Sequence, residues 1–201
     1  MTAAAPERRA RRYDPDRKDR IVDAALVVMA RHGVGGASHR LIAAEADVPL
    51  GSLTYHFTGL DDLRVCAWQR LSERMSARYE ARFAAVTDRE QLVDAVTALV
   101  LDDAGGDADD WAVSYELYLA ALRDPALREI TERWMRTSRA VLERHVDPVT
   151  ARALDALVEG LVMHKLLSTA PVSREDTRAI VDRAVGTPSF PSSTPSPRSS
   201  S

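Results

Sequence analysis

Residues 38–57 read Ser38-His39-Arg40-Leu41-Ile42-Ala43-Ala44-Glu45-Ala46-Asp47-Val48-Pro49-Leu50-Gly51-Ser52-Leu53-Thr54-Tyr55-His56-Phe57. Ser38 has a side chain suited to capping a helix start, and Leu41, Ile42 and Ala46 give the next residues an apolar side, which predicts a short helix over about 38 to 46. Asp47-Val48-Pro49 interrupts it, and a second short segment runs from Leu50 to Phe57. Upstream, Ile21, Ala24, Ala25, Val28 and Met29 recur at helical spacing and predict a longer helix over about 16 to 32. Gly33 follows it and is suited to a left-handed C-terminal position. A longer helix followed by two short ones around a tight turn is the outline of a helix-turn-helix, whose second short helix enters the major groove of DNA.

The residues meet the physical needs of such a module. Ile21, Ala25, Leu41, Ala44, Val48, Leu53 and Phe57 are expected to form a small three-helix core. Gly51 and Ser52 leave no bulk where backbone must approach a sugar-phosphate chain, and Ser52, Thr54, Tyr55 and His56 offer hydrogen-bond donors within one short helix. Leu50 opens that helix. Ser38, His39 and Arg40 open the preceding helix, whose N-terminal amides suit phosphate. These nine residues from Ser38 to His56 are the candidate DNA contacts. His39 and His56 have no third ligand placed near them in sequence, so no metal site is expected.

The formal net charge of -3 conceals an asymmetry. Residues 1–70 carry 11 Lys and Arg against 9 Asp and Glu, giving +2, whereas residues 71–201 carry 16 against 21, giving -5. The attraction for an anion therefore lies at the front. Residues 1–15 read as a disordered basic arm bearing Arg8, Arg9, Arg11 and Arg12, and 186–201 as a disordered Ser/Pro-rich tail.

Between them the chain divides into the module at 16–60 and a larger helical domain at 61–185. Helices are expected at about 61 to 84, 88 to 103 (ending near Gly105-Gly106), 111 to 123, 126 to 145, 149 to 168 and 173 to 185, with Pro125, Pro148 and Pro171 punctuating them. No strand-like alternation appears, so the fold class is all-α. Trp111, Tyr115, Tyr118 and Leu122 share one helical face, and Trp134 and Met135 on the next helix are placed to meet them. With His164 they make the candidate effector pocket; the Tyr hydroxyls, Glu116, Arg139 and His164 are its possible polar handles.

The stretch 149–168 is apolar almost all round, with a narrow polar strip at Arg152, Asp155 and Glu159. Such a helix needs neighbours on two sides. One is its own core; the other is best met by a second subunit. Leu154, Leu157, Gly160 and Leu161 are the candidate interface residues, with Ala153, Ala156 and Gly160 allowing close approach.

Ile21 to Leu26, His32-Gly33-Val34, Ser38 to Val48, Gly51-Ser52-Leu53-Thr54-Tyr55-His56-Phe57 and Asp61-Asp62-Leu63, in that order, resemble the N-terminal module of TetR-like bacterial regulators. Trp111 to Pro125 also resembles one branch of their ligand domains. The resemblance implies a homodimer on a palindromic double-stranded DNA operator, paired through late helices, with a small-molecule effector held in the C-terminal domain. The chain departs from many relatives in having Thr54 where a tyrosine follows Gly-Ser-Leu, and Leu60 where a cation precedes the acidic pair. Fewer phosphate anchors are then expected, with the arginine-rich arm compensating.

A ligand-released repressor is the leading reading. An activator of the same fold, or a helical adaptor without DNA binding, is the alternative. No phosphate-cradling loop, nucleophile elbow or zinc helix motif occurs, so the sequence points away from an enzyme and implies no cofactor. The lone Cys66 excludes an intramolecular disulfide and reads as a buried apolar residue. No apolar run suits a membrane span and no secretory pattern opens the chain, so a cytoplasmic, nucleoid-associated protein is expected.

Overall fold

The computed structural model describes residues 15–101, 108–170 and 172–186, and all regular structure among them is helical. The helices are α1 (Arg17–Gly36), α2 (His39–Glu45), α3 (Leu50–His56), α4 (Leu60–Phe83), α5 (Arg89–Leu101), α6 (Ala108–Ala121), α7 (Pro125–Leu142), α8 (Pro148–Leu167) and α9 (Arg174–Val185). The arm through residue 14, the Gly105-Gly106 stop, Pro171 and residues 187–201 of the tail lie outside the described residues. The described residues form two compact units, one within 1–75 and 107–134, the other within 76–106 and 135–201. The first unit therefore gathers α6 and the front of α7 with α1–α3 and does not end at residue 60.

In the first unit α1 packs on α2 and on α6. Ile21, Ala25, Met29, Ile42, Leu53, Leu63, Leu71 and Leu117 are fully or almost fully buried in one core. The regular part of α1 stops where expected. Gly33 takes φ 71 and ψ 161, a conformation available essentially to glycine alone, so α1 kinks there through an extended rather than a left-handed residue. Ser38 caps α2 by accepting the Leu41 N–H. The α2–α3 turn is made by Asp47 at φ 51, one of the few side chains that tolerates the left-handed region. The Val48 N–H then donates to the Ala43 carbonyl at 3.0 Å.

One expectation about this core needs correcting. Leu41 is 39% exposed and Ala44 is exposed, whereas Ile42, Ala43 and Ala46 are buried. The seven-residue α2 is rotated so that its 42–43–46 edge meets α1 and its 41–44–45 edge faces out. Val48 packs partly buried against the core. Arg31 reaches across from α1 to Glu45 at 2.8 Å, pinning that rotation.

In the second unit α5 packs on α8 and α9, and α8 on α9. Arg89 donates to the Asp182 carboxylate at 2.9 Å and to the carbonyls of Asp182 and Gly186, binding the start of α5 to the end of α9. Asp147 caps α8 by accepting the amides of Val149 and Thr150, which together with the Thr150 hydroxyl hold its carboxyl below the usual carboxylate range. The buried face of α8 is Ala151, Leu154, Val158 and Val162.

Candidate DNA-binding site

The second short helix, α3, buries Leu53, and Phe57 at its C-cap is buried with it. Lys18 of α1 sits over the Phe57 ring, 5.7 Å from its centroid. With that edge anchored, Tyr55 projects with 83% of its surface exposed, and Leu50 is half exposed. Gly51 and Thr54 are also exposed, while Ser52 and His56 are half-buried. The rings of Tyr55 and His56 meet edge to face at 4.9 Å, so each limits the other's rotamers. A Cβ added to Gly51 would meet nothing within 4 Å, so no neighbour in this chain demands glycine there. Arg40 is exposed, and Ser38 and His39 are half-buried beside it at the start of α2.

Both departures noted in the sequence have a structural counterpart. Thr54 donates its hydroxyl proton back to the Gly51 carbonyl at 3.1 Å and keeps only acceptor capacity outward. Leu60 packs partly buried against the core. In its place at the start of α4, Asp62 accepts the backbone N–H and the hydroxyl of Thr58, fixing the α3–α4 connection.

The candidate effector residues divide. On α6, Trp111 stacks on Tyr115 at 6.0 Å, Tyr115 leans on Tyr118 at 6.3 Å, and Tyr118 stacks on Trp134 of α7 at 5.6 Å. Leu122 stands 70% exposed outside that ladder. Met135 and His164 belong to the second unit, and His164 is exposed. Glu116, one of the possible handles, accepts the backbone N–H of Val34 with its carboxylate at 2.8 Å. This contact is between residues 82 positions apart, and nothing local in the sequence signals it.

The polar strip of α8 also departs from expectation. The Asp155 side chain is only 15% exposed, with Arg139 Nη1 4.0 Å from its Oδ2, and Glu159 is half-buried. Arg152 is exposed as expected, and Val149, Ala153, Ala156, Gly160, Met163, His164 and Leu167 are exposed with it. Leu157 and Leu161 are half-buried, and Leu154 is fully buried in its own chain, which removes it from any outward face. Cys66 is half-buried, and burial pushes its thiol pKa up, with the Asp62 carboxylate adding to the effect.

Residues 21–65 match the model of the bacterial regulatory proteins of the tetR family, and residues 87–187 match that of the tetracyclin repressor-like C-terminal domain. The chain belongs to the TetR family. It is a transcriptional regulator with an N-terminal helix-turn-helix and a helical C-terminal domain. The HTH-type transcriptional regulator CymR of Pseudomonas putida is 30% identical over 128 residues, a match spanning 62% of this chain and 60% of that protein. SCO7518 of Streptomyces coelicolor A3(2), solved as a transcriptional regulator, is 43% identical with a TM-score of 0.77 over 86% of this chain and 100% of that one. The multidrug binding protein EbrR is 43% identical with a TM-score of 0.70 over 87% of this chain and 98% of that one, and was solved with imidazole, ethidium, proflavin and malachite green. No helix among the described residues is long and apolar enough to cross a membrane.

Proposed function

We propose that this TetR-family chain works as a homodimeric repressor that leaves a palindromic operator when a small aromatic molecule binds its C-terminal domain. The exposed Tyr55, held on an α3 whose Leu53 edge is anchored, carries the DNA part of the reading. A side chain of that size left in water on a fixed helix has a use when it meets a partner surface. Arg40, Ser52 and His56 supply donors beside it, and the open space at Gly51 admits a sugar-phosphate chain. The α2 N-terminus at Ser38 and His39 faces phosphate, and Leu50 and Thr54 border the base edges.

The effector part is supported by the ring ladder of Trp111, Tyr115, Tyr118 and Trp134, and by the likeness to EbrR with its planar aromatic ligands. Release requires only that the effector bind the DNA-incompetent state more tightly, and a few kcal/mol of coupling is enough.

Selection of genomic fragments by the purified protein, followed by mobility shifts with and without ethidium, tests this. Palindromic fragments should be recovered and lost on adding the dye. Tyr55→Ala should weaken specific binding by ~1–3 kcal/mol with unchanged thermal stability. Recovery of no preferred sequence, or unchanged binding by Tyr55→Ala, would sink the assignment of α3.

A further inference from the structure

The outer face of α6 carries Ala112, Tyr115, Leu119 and Leu122, spaced by three, four and three residues, so that they form one apolar seam along the helix. Leu119 is 59% exposed and Leu122 70%, Ala112 is exposed and Tyr115 is half-buried. Leu122 lies one residue beyond α6, but its N–H donates to the Tyr118 carbonyl at 3.2 Å and continues the turn. The seam cannot turn inward. Val113, Leu117 and Ala121 on the other side are buried in the core of the first unit, and Glu116 is held on the Val34 amide. Asp109 and Arg123, both exposed and fourteen positions apart, lie along one flank of the seam at its two ends. The start of the seam therefore has a small side chain and an acid, and its end has a large side chain and a base.

We infer that this seam is a contact surface for the α6 of a second copy of the chain, running antiparallel to the first. In the register that sets Ala112 opposite the partner's Leu122 and Tyr115 opposite the partner's Leu119, the small side chain leaves room for the large one. That register also brings Asp109 beside the partner's Arg123, and the twofold axis makes the pair twice. A parallel pairing sets acid level with acid and base level with base, so charge and size favour the antiparallel one. Four seam residues from each copy are far fewer than the roughly 20–30 a side of a stand-alone interface. The contact therefore supplements a dimer held through another surface, and to that extent it rests on the homodimeric reading above.

Coexpression of two differently tagged full-length chains, both carrying Cys66→Ser, tests the register. One chain carries Ala112→Cys and the other Leu122→Cys. Mild oxidation should join unlike chains, because the two positions face each other within the roughly 4–7 Å between Cα atoms that a disulfide spans. Like chains should not join, since like positions lie about ten residues, or ~15 Å, apart along the axis. Asp109→Lys in both chains should lower the yield roughly two- to fivefold, and adding Arg123→Asp should restore it. Every position changed on α6 and in the turn after it is exposed, so the helical circular dichroism should stay that of wild type. Sedimentation of the same proteins reports the dimer separately. Absence of a link between unlike chains, links between like chains, or a yield indifferent to the charge reversal would each overturn the inference. A dimer that sediments intact without the link leaves the homodimeric reading standing, whereas a monomer at every concentration refutes both.

Discussion

The Glu116 carboxylate of α6 accepts the backbone N–H of Val34 at 2.8 Å, immediately after the Gly33 kink that ends the regular part of α1. Arg64 of α4 donates to the carbonyl of the same residue at 3.0 Å, so both polar groups of one peptide residue are held by side chains from different helices. A hydrogen bond to a charged group contributes ~1.5–3 kcal/mol. Glu116→Ala should therefore lower unfolding stability by about 1–3 kcal/mol, while Glu116→Gln, which keeps a carbonyl oxygen in place, should lose clearly less. Gly33→Ala should cost ~1–3 kcal/mol because of its backbone conformation. Urea unfolding measures all three, and equal losses for Glu116→Ala and Glu116→Gln would show that the acceptor is not what matters.

The rotation of α2 predicts opposite outcomes for adjacent residues. Ile42 is fully buried and Leu41 is 39% exposed. Ile42→Ala should cost ~2–5 kcal/mol through lost contacts and a residual cavity, and Leu41→Ala under about 1 kcal/mol. Thermal melts of the two variants decide it. If Leu41→Ala were the more damaging, the helix would be turned the other way.

These two cases mark how far local sequence carries. Caps and breaks are short-range chemistry, and so Ser38, Pro125 and Pro148 fixed helix starts to within a residue or two. The face that a short helix buries is not. Leu41, Ile42, Ala43, Ala44 and Ala46 are all apolar, so the pattern alone allows more than one rotation, and contacts from α1, including Arg31 on Glu45, choose between them. The exposed half of α3 was legible because Leu53 and Phe57 declare the buried edge. The inward turn of Asp155 was not, because periodicity assigns charge to water and a compensating Arg139 on another helix cannot be seen from α8 itself. The bond of Glu116 to Val34 was not legible either, because its partner is a backbone amide 82 positions away.

The buried Asp155 also gives the stability a pH dependence of known sign. Its carboxyl has the ordinary value of 3.8 when unfolded and about 6 when folded, so the native state binds more protons between those pH values. Stability from this group is present below about pH 4 and is lost as pH rises through 6, by at most about 3 kcal/mol for a shift of roughly two units. Asp155→Asn should remove that slope and raise the melting temperature at pH 8 but not at pH 4. Identical wild-type and variant profiles from pH 4 to 8 would exclude a raised Asp155.

The outward stripe of α8 leads to a last pair of substitutions. Val149, Ala153, Ala156, Gly160, Met163 and Leu167 are exposed in the single chain and alternate at spacings of three and four, the repeat by which two helices interlock. Val149 is 78% exposed and Leu167 76%, too much apolar surface on one helix face to leave in water without purpose. A Cβ added at Gly160 meets nothing within 4 Å, so Gly160→Glu is accommodated by the subunit itself. In a twofold pairing through this stripe it would place two like charges in the seam. It should convert the dimer to monomer in light scattering, preserve the helical circular dichroism, and weaken binding to a palindrome far more than to a half-site. Leu154→Ala makes the opposite demand, because Leu154 is fully buried within its own chain. It should lower unfolding stability by ~2–5 kcal/mol, with any dissociation following from unfolding. A Gly160→Glu protein that stays dimeric at micromolar concentration would place the interface on another face.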